Sequence, residues 1–234
     1  MPNVRLDLRA IEHSLLGVRE HFDQINATLD TEHDPFSDEV LGHMMAGYRF
    51  LDQLQEGDID LFAVGNSRLL LHLNCLIVCE PRQNALAECS EHFRETERRF
   101  YDDSNRGGIR ALMNYLADHR HPSVWERAAG VYMQTLSSPQ LFFEGNHRTG
   151  ALLISHILLR GGEPPFVLNV QNAKAYFEPS SLIKGYRKGS LRAMFQAPRL
   201  RTLLAELLQT TVDPRHLLTP ASMRPKTAHP HSAL

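Results

Sequence analysis

A turn that leads into a strongly apolar helix constrains this chain more than any other stretch. The nine residues from Ala151 to Leu159 include only two polar side chains. A helix that is apolar on nearly every side is buried inside a protein. The tight turn before it, at Gly145 and Asn146, directs several backbone N–H groups at one point, where the helix dipole favours an anion. The sequence therefore predicts a buried helix with an anion site at its start.

Charged side chains flank this turn and define its chemistry. Arg148 is a planar donor that suits phosphate oxygens. Glu144 is a carboxylate of the kind that holds Mg²⁺, an ion that usually binds together with nucleotide phosphates. An ordinary capped core helix is the alternative interpretation, but it gives no role to Glu144 and Arg148. The residues therefore indicate a phosphate site with a place for a metal.

The stretch from Gln140 to Ala151, QLFFEGNHRTGA, resembles the active-site loop of the Fic/Doc proteins. The pattern of that family is His-x-Phe-x-Asp/Glu-Gly-Asn-Gly-Arg-x-x-Arg. Its members transfer AMP, or less often another phosphate-containing group, to a hydroxyl of a target protein. The resemblance implies a mainly α-helical bundle around a central motif helix, with a small β-hairpin near the site that we place at Phe100–Gly108. The chain matches the family pattern at Phe142, Glu144, Gly145, Asn146 and Arg148.

Three positions of the motif depart from the family pattern. Gln140 replaces the catalytic His, His147 replaces the second Gly, and Ala151 replaces the second Arg. An amide cannot act as a base, and a well-placed base is worth about 10²–10⁴ in rate. We therefore expect standard AMP transfer to be absent while a nucleotide or phosphate is still bound. His147 is either a base or phosphate contact, or a side chain that fills and obstructs the pocket.

The resemblance gives each motif residue a role. Gln140 and His147 occupy the catalytic positions, and Glu144 is the ligand for Mg²⁺. ATP or another nucleotide is expected to be held by Gly145, Asn146, His147, Arg148 and Thr149. Three functions stay open: a nucleotide binder without transfer activity, a transferase with another phosphate-containing donor, and a non-catalytic dimeric interaction module.

Heptad spacing marks the N-terminal segment of the chain. It is typical of a long helix at about 4–29 that either packs on its own domain or forms a homodimer through Val4–Leu29. A second helix is expected at about 38–56, with Ser37 as a cap and Gly57 at its end. The residues in heptad register are Val4, Leu8, Ile11, Leu15, Val18, Phe22, Ile25 and Leu29.

We expect three parts along the chain. These are an N-terminal helical segment at 1–57, a Fic-like helical core at 58–212, and a C-terminal tail at 213–234. The tail is rich in Thr, Pro, His and Ser, so we expect it to be partly disordered. Turn character is expected at 176–185. Within the core, helices are predicted near 67–79, 84–99, 109–118, 122–136 and 199–210.

Composition excludes several classes of partner. The net charge of −2 gives no basic field for nucleic acid, and no apolar run approaches the ~20 residues that span a bilayer. The partners that the Fic/Doc resemblance implies are a nucleotide and a target protein. Three cysteines without framework spacing favour a reducing, cytoplasmic location. Two of them, Cys75 and Cys79, are interpreted as core thiols and not as a metal pair.

Overall fold

A computed structural model of the chain describes residues 4–79, 86–104, 107–118 and 123–218, with the backbone alone at 86–90 and 192–194. These ranges contain nine α-helices and no named strand, which confirms a mainly α fold. None of these helices has the length and apolar character needed to cross a membrane. The helices are α1 (Leu8–Asn26), α2 (Asp38–Glu56), α3 (Ser67–Val78), α4 (Leu86–Phe100), α5 (Ile109–Asp118), α6 (Val124–Leu136), α7 (Asn146–Arg160), α8 (Ala173–Lys184) and α9 (Leu191–Thr211).

The apolar helix predicted after the Gly-Asn turn is α7, and it lies at the centre of the bundle. Its side chains from Thr149 to Leu159 are buried without interruption. It packs against α6 over most of its length and also contacts α2 and α3. Because neighbours cover α7 on several sides, the near-absence of polar residues along it has a direct physical cause.

The heptad helix is shorter than predicted and packs within the chain. Asp7 caps α1 by accepting hydrogen bonds from the N–H groups of Arg9 and Ala10, so the helix begins at Leu8 and not at Val4. α1 contacts α2 and α8. The seam residues Ile11, Leu15, Val18, Phe22 and Ile25 are each at most 7% exposed. Their apolar face is used inside the fold and is not available to a second copy of the chain.

The first and last described residues meet beside α1. Leu6 forms an isolated bridge with Leu217, and the Asp7 N–H donates to the His216 carbonyl over 2.8 Å. A 3₁₀ turn at Pro214–His216 precedes this contact. The predicted tail is therefore ordered over 213–218, and 219–234 lies outside the described residues. One hydrophobic cluster contains residues from both sides of the expected boundary at 57/58, so the N-terminal helices belong to the same core.

Two predictions about local structure were wrong, and one part of the expected hairpin is helical. Most of the stretch 176–185, expected as a turn, belongs to α8, which ends at Lys184, and the helix predicted near 199–210 begins earlier, at Leu191. Each helix contains a proline, Pro179 or Pro198, a residue that usually interrupts a helix. The β-hairpin expected at Phe100–Gly108 is not formed by the residues described there: Phe100 ends α4 and a turn follows.

The cysteines differ from one another. Cys75 is a free, half-buried thiol on α3, as expected. Cys79, just after that helix, is disulfide-bonded, which corrects its interpretation as a core thiol. The side chain of Cys89 lies outside the described residues. Because disulfides are rare in a reducing cytosol, the cytoplasmic location stays a prediction.

Candidate functional site

The turn before α7 has the tight geometry that its sequence predicts. Gly145 is the N-cap and has φ 69°, in the left-handed region that favours glycine. A Cβ at this position would lie 2.7 Å from Cγ2 of Val78, so the close approach of α3 also requires a glycine. Asn74 of α3 pins both sides of the turn: its Nδ2 donates to the Glu144 carbonyl and to Oγ1 of Thr149, each over 2.9 Å.

The Asn146 side chain folds back on the loop that precedes it. Its Oδ1 accepts from the Phe142 N–H, and its Nδ2 donates to the Phe142 carbonyl, both over 2.9 Å. Nδ2 also lies 3.3 Å from Oε1 of Gln140, to which it donates. Together with Thr149, which accepts from Asn74, Asn146 holds the loop in shape. Any contact of these two residues with a ligand would therefore come from the backbone.

A cavity of about 420 Å³ opens at the start of α7. It brings together every predicted site residue except Thr149, which is fully buried behind it. Apolar side chains of α1, α2 and α8 form much of its wall, and ionisable side chains from two segments distant in sequence also line it. The motif residues that line the cavity are Gln140, Phe143, Glu144, Gly145, Asn146, His147, Arg148 and Ala151.

Arg148 is a half-buried cation without a direct partner. Within the described ranges, its guanidinium makes no hydrogen bond and no ion pair. Burial lowers the pKa of Arg148 below its usual value, and the more distant Glu39, Glu144 and Asp34 oppose this effect. Burying a charge is costly unless it is paired, so the site is arranged to favour an anion beside this side chain.

His147 lies in the same cavity and is uncharged at neutral pH. Burial is the main cause that lowers its pKa from 6.5 to about 3, and the nearby cation of Lys184 adds to the effect. Its Nδ1 lies 3.2 Å from the Tyr132 hydroxyl, whereas its Nε2 is buried and has no hydrogen-bond partner. A base with so low a pKa has little driving force to remove a proton from a hydroxyl.

Glu144 lies at the rim of the cavity. Its side chain is 61% exposed, and its Oε2 is 4.0 Å from Nδ1 of His92. No group of three His, Cys, Asp or Glu side chains in the described part of the chain is arranged to hold a metal ion. Mg²⁺ often keeps several waters and binds through one or two carboxylates plus phosphate oxygens. A metal at Glu144 would thus depend on a bound nucleotide.

The structure adds three ionisable residues that sequence reasoning missed. His33 and Asp34 come from the loop after α1, and Lys184 is the last residue of α8. The His33 ring lies 6.0 Å from that of His147. No local pattern marks these residues, because each is brought to the cavity by helix packing alone. Lys184 adds a second cation to the cavity. The motif itself does not supply one, because Ala151 stands at the position of the family's second Arg.

The comparisons with known proteins give no match. No family model matches the chain, and no curated protein or solved structure matches it. The resemblance to the Fic/Doc family therefore depends on the residues of the motif itself.

Proposed function

We propose that this protein binds the phosphate group of a nucleotide in the cavity at the start of α7, with Arg148 as the principal cation. The observation that carries the proposal is the half-buried guanidinium of Arg148, in the first turn of a helix, which makes no hydrogen bond or ion pair with any described residue. Arginine presents a planar set of donors that matches phosphate oxygens, and a bound phosphate would supply the missing partner.

The backbone supports the same ligand. The Thr149 N–H bonds to the Gly145 carbonyl over 2.8 Å, and it is the first N–H of α7 to do so. The N–H groups before it in this turn have no acceptor within the helix, as at every helix start. Their partial positive charge adds to that of the helix dipole. Arg148, Lys184 and the first residues of α7 all line the same cavity, so two cations and the start of the helix are available to one ligand.

Binding without standard AMP transfer is the chemistry that these residues favour. Gln140 cannot act as a base, and its Oε1 is already engaged by Asn146. His147, the other titratable side chain of the motif, has a pKa of about 3 and is a weak base. The protein is in this proposal a degenerate relative of the Fic/Doc transferases, as its motif suggests, in which phosphate recognition is kept and the proton acceptor is lost.

A transferase of altered chemistry is the second candidate. One observation favours it: Nε2 of His147 is buried and has no partner in the described residues, so this ring nitrogen is not committed to a hydrogen bond within the fold. The low pKa of His147 argues against a role as general base at neutral pH. We therefore place nucleotide binding first.

The test is a calorimetric titration of the full chain with ATP, ADP, GTP, CTP and UTP, with and without Mg²⁺. We expect at least one nucleotide to bind, and Arg148→Gln to weaken its binding at least tenfold, because charge-assisted hydrogen bonds contribute about 1.5–3 kcal/mol. Arg160→Gln is the matched control, since Arg160 lies at the other end of α7 and pairs with Asp58. Absence of binding, or an equal effect of both substitutions, would reject the proposal.

A further inference from the structure

A second cavity, of about 530 Å³, adjoins the first. Gln140 and Lys184 line both cavities. Ligand groups bound in the two cavities would therefore both lie beside these two side chains. The second cavity is rich in cations. Its charged lining consists of Arg98, Arg99 and Lys184 against the single carboxylate of Asp102. It therefore offers a positive surface beside the motif.

One wall of the second cavity is held in place by hydrogen bonds. The Ser138 N–H donates to the Tyr186 carbonyl and the Lys188 N–H donates to the Ser138 carbonyl, each over 2.8 Å. The Lys188 ammonium donates to the Pro139 carbonyl over 2.8 Å. Gly107 packs directly on this wall, since a Cβ there would lie 2.5 Å from Cγ of Pro139. The cavity is thus shaped before any ligand enters.

Arg99, like Lys184, is a cation of this cavity that has no acceptor among the described residues. Its guanidinium carbon lies 5.2 Å from the ring centroid of Phe143, a motif residue, and it makes no hydrogen bond or ion pair with any described residue. Stacking on an aromatic ring fixes a guanidinium and leaves its in-plane donors available. Arg98 differs, because it is exposed and pairs with Glu95 over 2.7 Å. The donors of Arg99 are therefore oriented but unused.

We propose that this second cavity binds an anionic oxygen group, a phosphate or a carboxylate, through Arg99 and Lys184. The anion site stands on its own geometry. Its joint use with the first cavity rests on the proposed function: a ligand with one phosphate on Arg148 would place a second anionic group, its own or that of an acceptor, beside Arg99. The shared wall at Gln140 and Lys184 is where the two groups would meet.

The first experiment tests the anion site without a nucleotide. Inorganic pyrophosphate is titrated calorimetrically into the full-length Arg148→Gln variant, in which the first cavity lacks its principal cation and keeps Lys184. We expect pyrophosphate to bind, and the added substitution Arg99→Gln to weaken it at least tenfold. Arg94→Gln, on an exposed part of the same helix and outside both cavities, should change the affinity less than twofold. No binding in the Arg148→Gln variant, or equal effects of the two α4 substitutions, would overturn the inference.

A second arm identifies the source of the anion. If Arg99 holds the second phosphate of one ligand, Arg99→Gln weakens ATP binding more than AMP binding. If it holds a carboxylate of an acceptor, ATP and AMP are unaffected and binding of tetraglutamate is lost instead. Either result supports the anion site. If Arg99→Gln changes the affinity for none of ATP, AMP and tetraglutamate, the anion site is rejected. If the wild type binds no nucleotide but pyrophosphate binding still depends on Arg99, the proposed function is rejected and the anion site is kept.

Discussion

α7 contains two histidines, the half-buried His147 near its start and the fully buried His156 near its end, and they differ in their hydrogen bonds. His156 is 1% exposed, and its Nε2 accepts from the Leu61 N–H over 3.0 Å and lies 3.2 Å from Oδ1 of Asp60. His147 has one long contact with a tyrosine hydroxyl and a buried Nε2 without a partner. Burial lowers the pKa of both side chains. The histidine near the end of α7 therefore has hydrogen-bond partners for its Nε2, and the histidine near its start has none among the described residues.

The same contrast holds for the arginines of α7. Arg160, its last residue, pairs with Asp58, whereas Arg148, in its first turn, makes no ion pair among the described residues. Folded proteins pair most of their buried polar groups, and each exception needs an explanation. At the start of α7, one such atom, Nε2 of His147, lies next in sequence to the half-buried Arg148, which makes no ion pair among the described residues, and both residues line one cavity. The comparison favours a site shaped for a ligand that is not part of the chain.

The largest expected difference between the two ends is in stability. His156→Ala removes the acceptor of a buried N–H and leaves a cavity, so we expect the free energy of unfolding to fall by about 3 kcal/mol. His147→Ala removes a side chain that borders an open cavity, and we expect a loss below about 1 kcal/mol. Urea unfolding of the two variants measures both. Equal losses would show that His147 is as much a core residue as His156.

A substitution at the turn tests whether its geometry is obligatory. Gly145→Ala places a Cβ against Val78 at a residue with positive φ, and we expect a loss of roughly 2–3 kcal/mol in the free energy of unfolding. Gly42→Ala on α2 is the control, because a Cβ there meets nothing within 4 Å. Its helical position should make it neutral or slightly stabilising. A Gly145→Ala variant as stable as the wild type would contradict the described turn.

The dependence of stability on pH gives a smaller effect. The pKa of His147 is about 3 in the folded chain and near 6.5 when unfolded, so between these values the unfolded state binds more protons. Stability should therefore fall as the pH drops below about 6.5, by roughly 2 kcal/mol at pH 5 from this residue alone. His147→Gln should remove that part of the loss, measured by urea unfolding at pH 7.5 and pH 5. An unchanged pH dependence would mean that His147 titrates normally.

Most of the helical fold could be predicted from the sequence because its signals are local. Ser37 and Gly57 bracket α2, and Ser123 with Glu126 forms a capping box at the start of α6. α8 was not predicted, and it contains Pro179 and ends before Gly185, two residue types that are common in turns. The buried residues Ala173, Tyr176, Phe177, Ser180 and Ile183 of α8 share one helical face, so packing outweighs the hydrogen bond that the proline cannot make.

The candidate site could be predicted only where it is continuous in sequence. The motif loop supplied its own residues, from Gln140 to Thr149, through spacing that resembles a known pattern. Lys184 and Arg99 reach the same region from α8 and α4, and nothing near them in sequence indicates a ligand. The sequence also did not indicate that the side chains of Asn146 and Thr149 hold the loop in shape. Their hydrogen bonds, Asn146 with Phe142 and Thr149 with Asn74, form only in the folded chain.

The central claim is that Arg148 is kept for a ligand at a cost to stability. Thermal unfolding of the wild type and of Arg148→Gln tests it, each alone and with Mg²⁺ and the best-binding nucleotide among ATP, GTP, CTP and UTP. Without nucleotide, the variant should unfold at the same temperature or up to about 4 °C higher, because an unpaired buried charge is removed. At 100 times the wild-type Kd, the nucleotide should add about 2.7 kcal/mol to the wild type, roughly 5–10 °C, and at most about half of that to the variant, which binds it at least tenfold more weakly. A variant that is less stable alone, and that nucleotide stabilises as much as the wild type, would contradict the account.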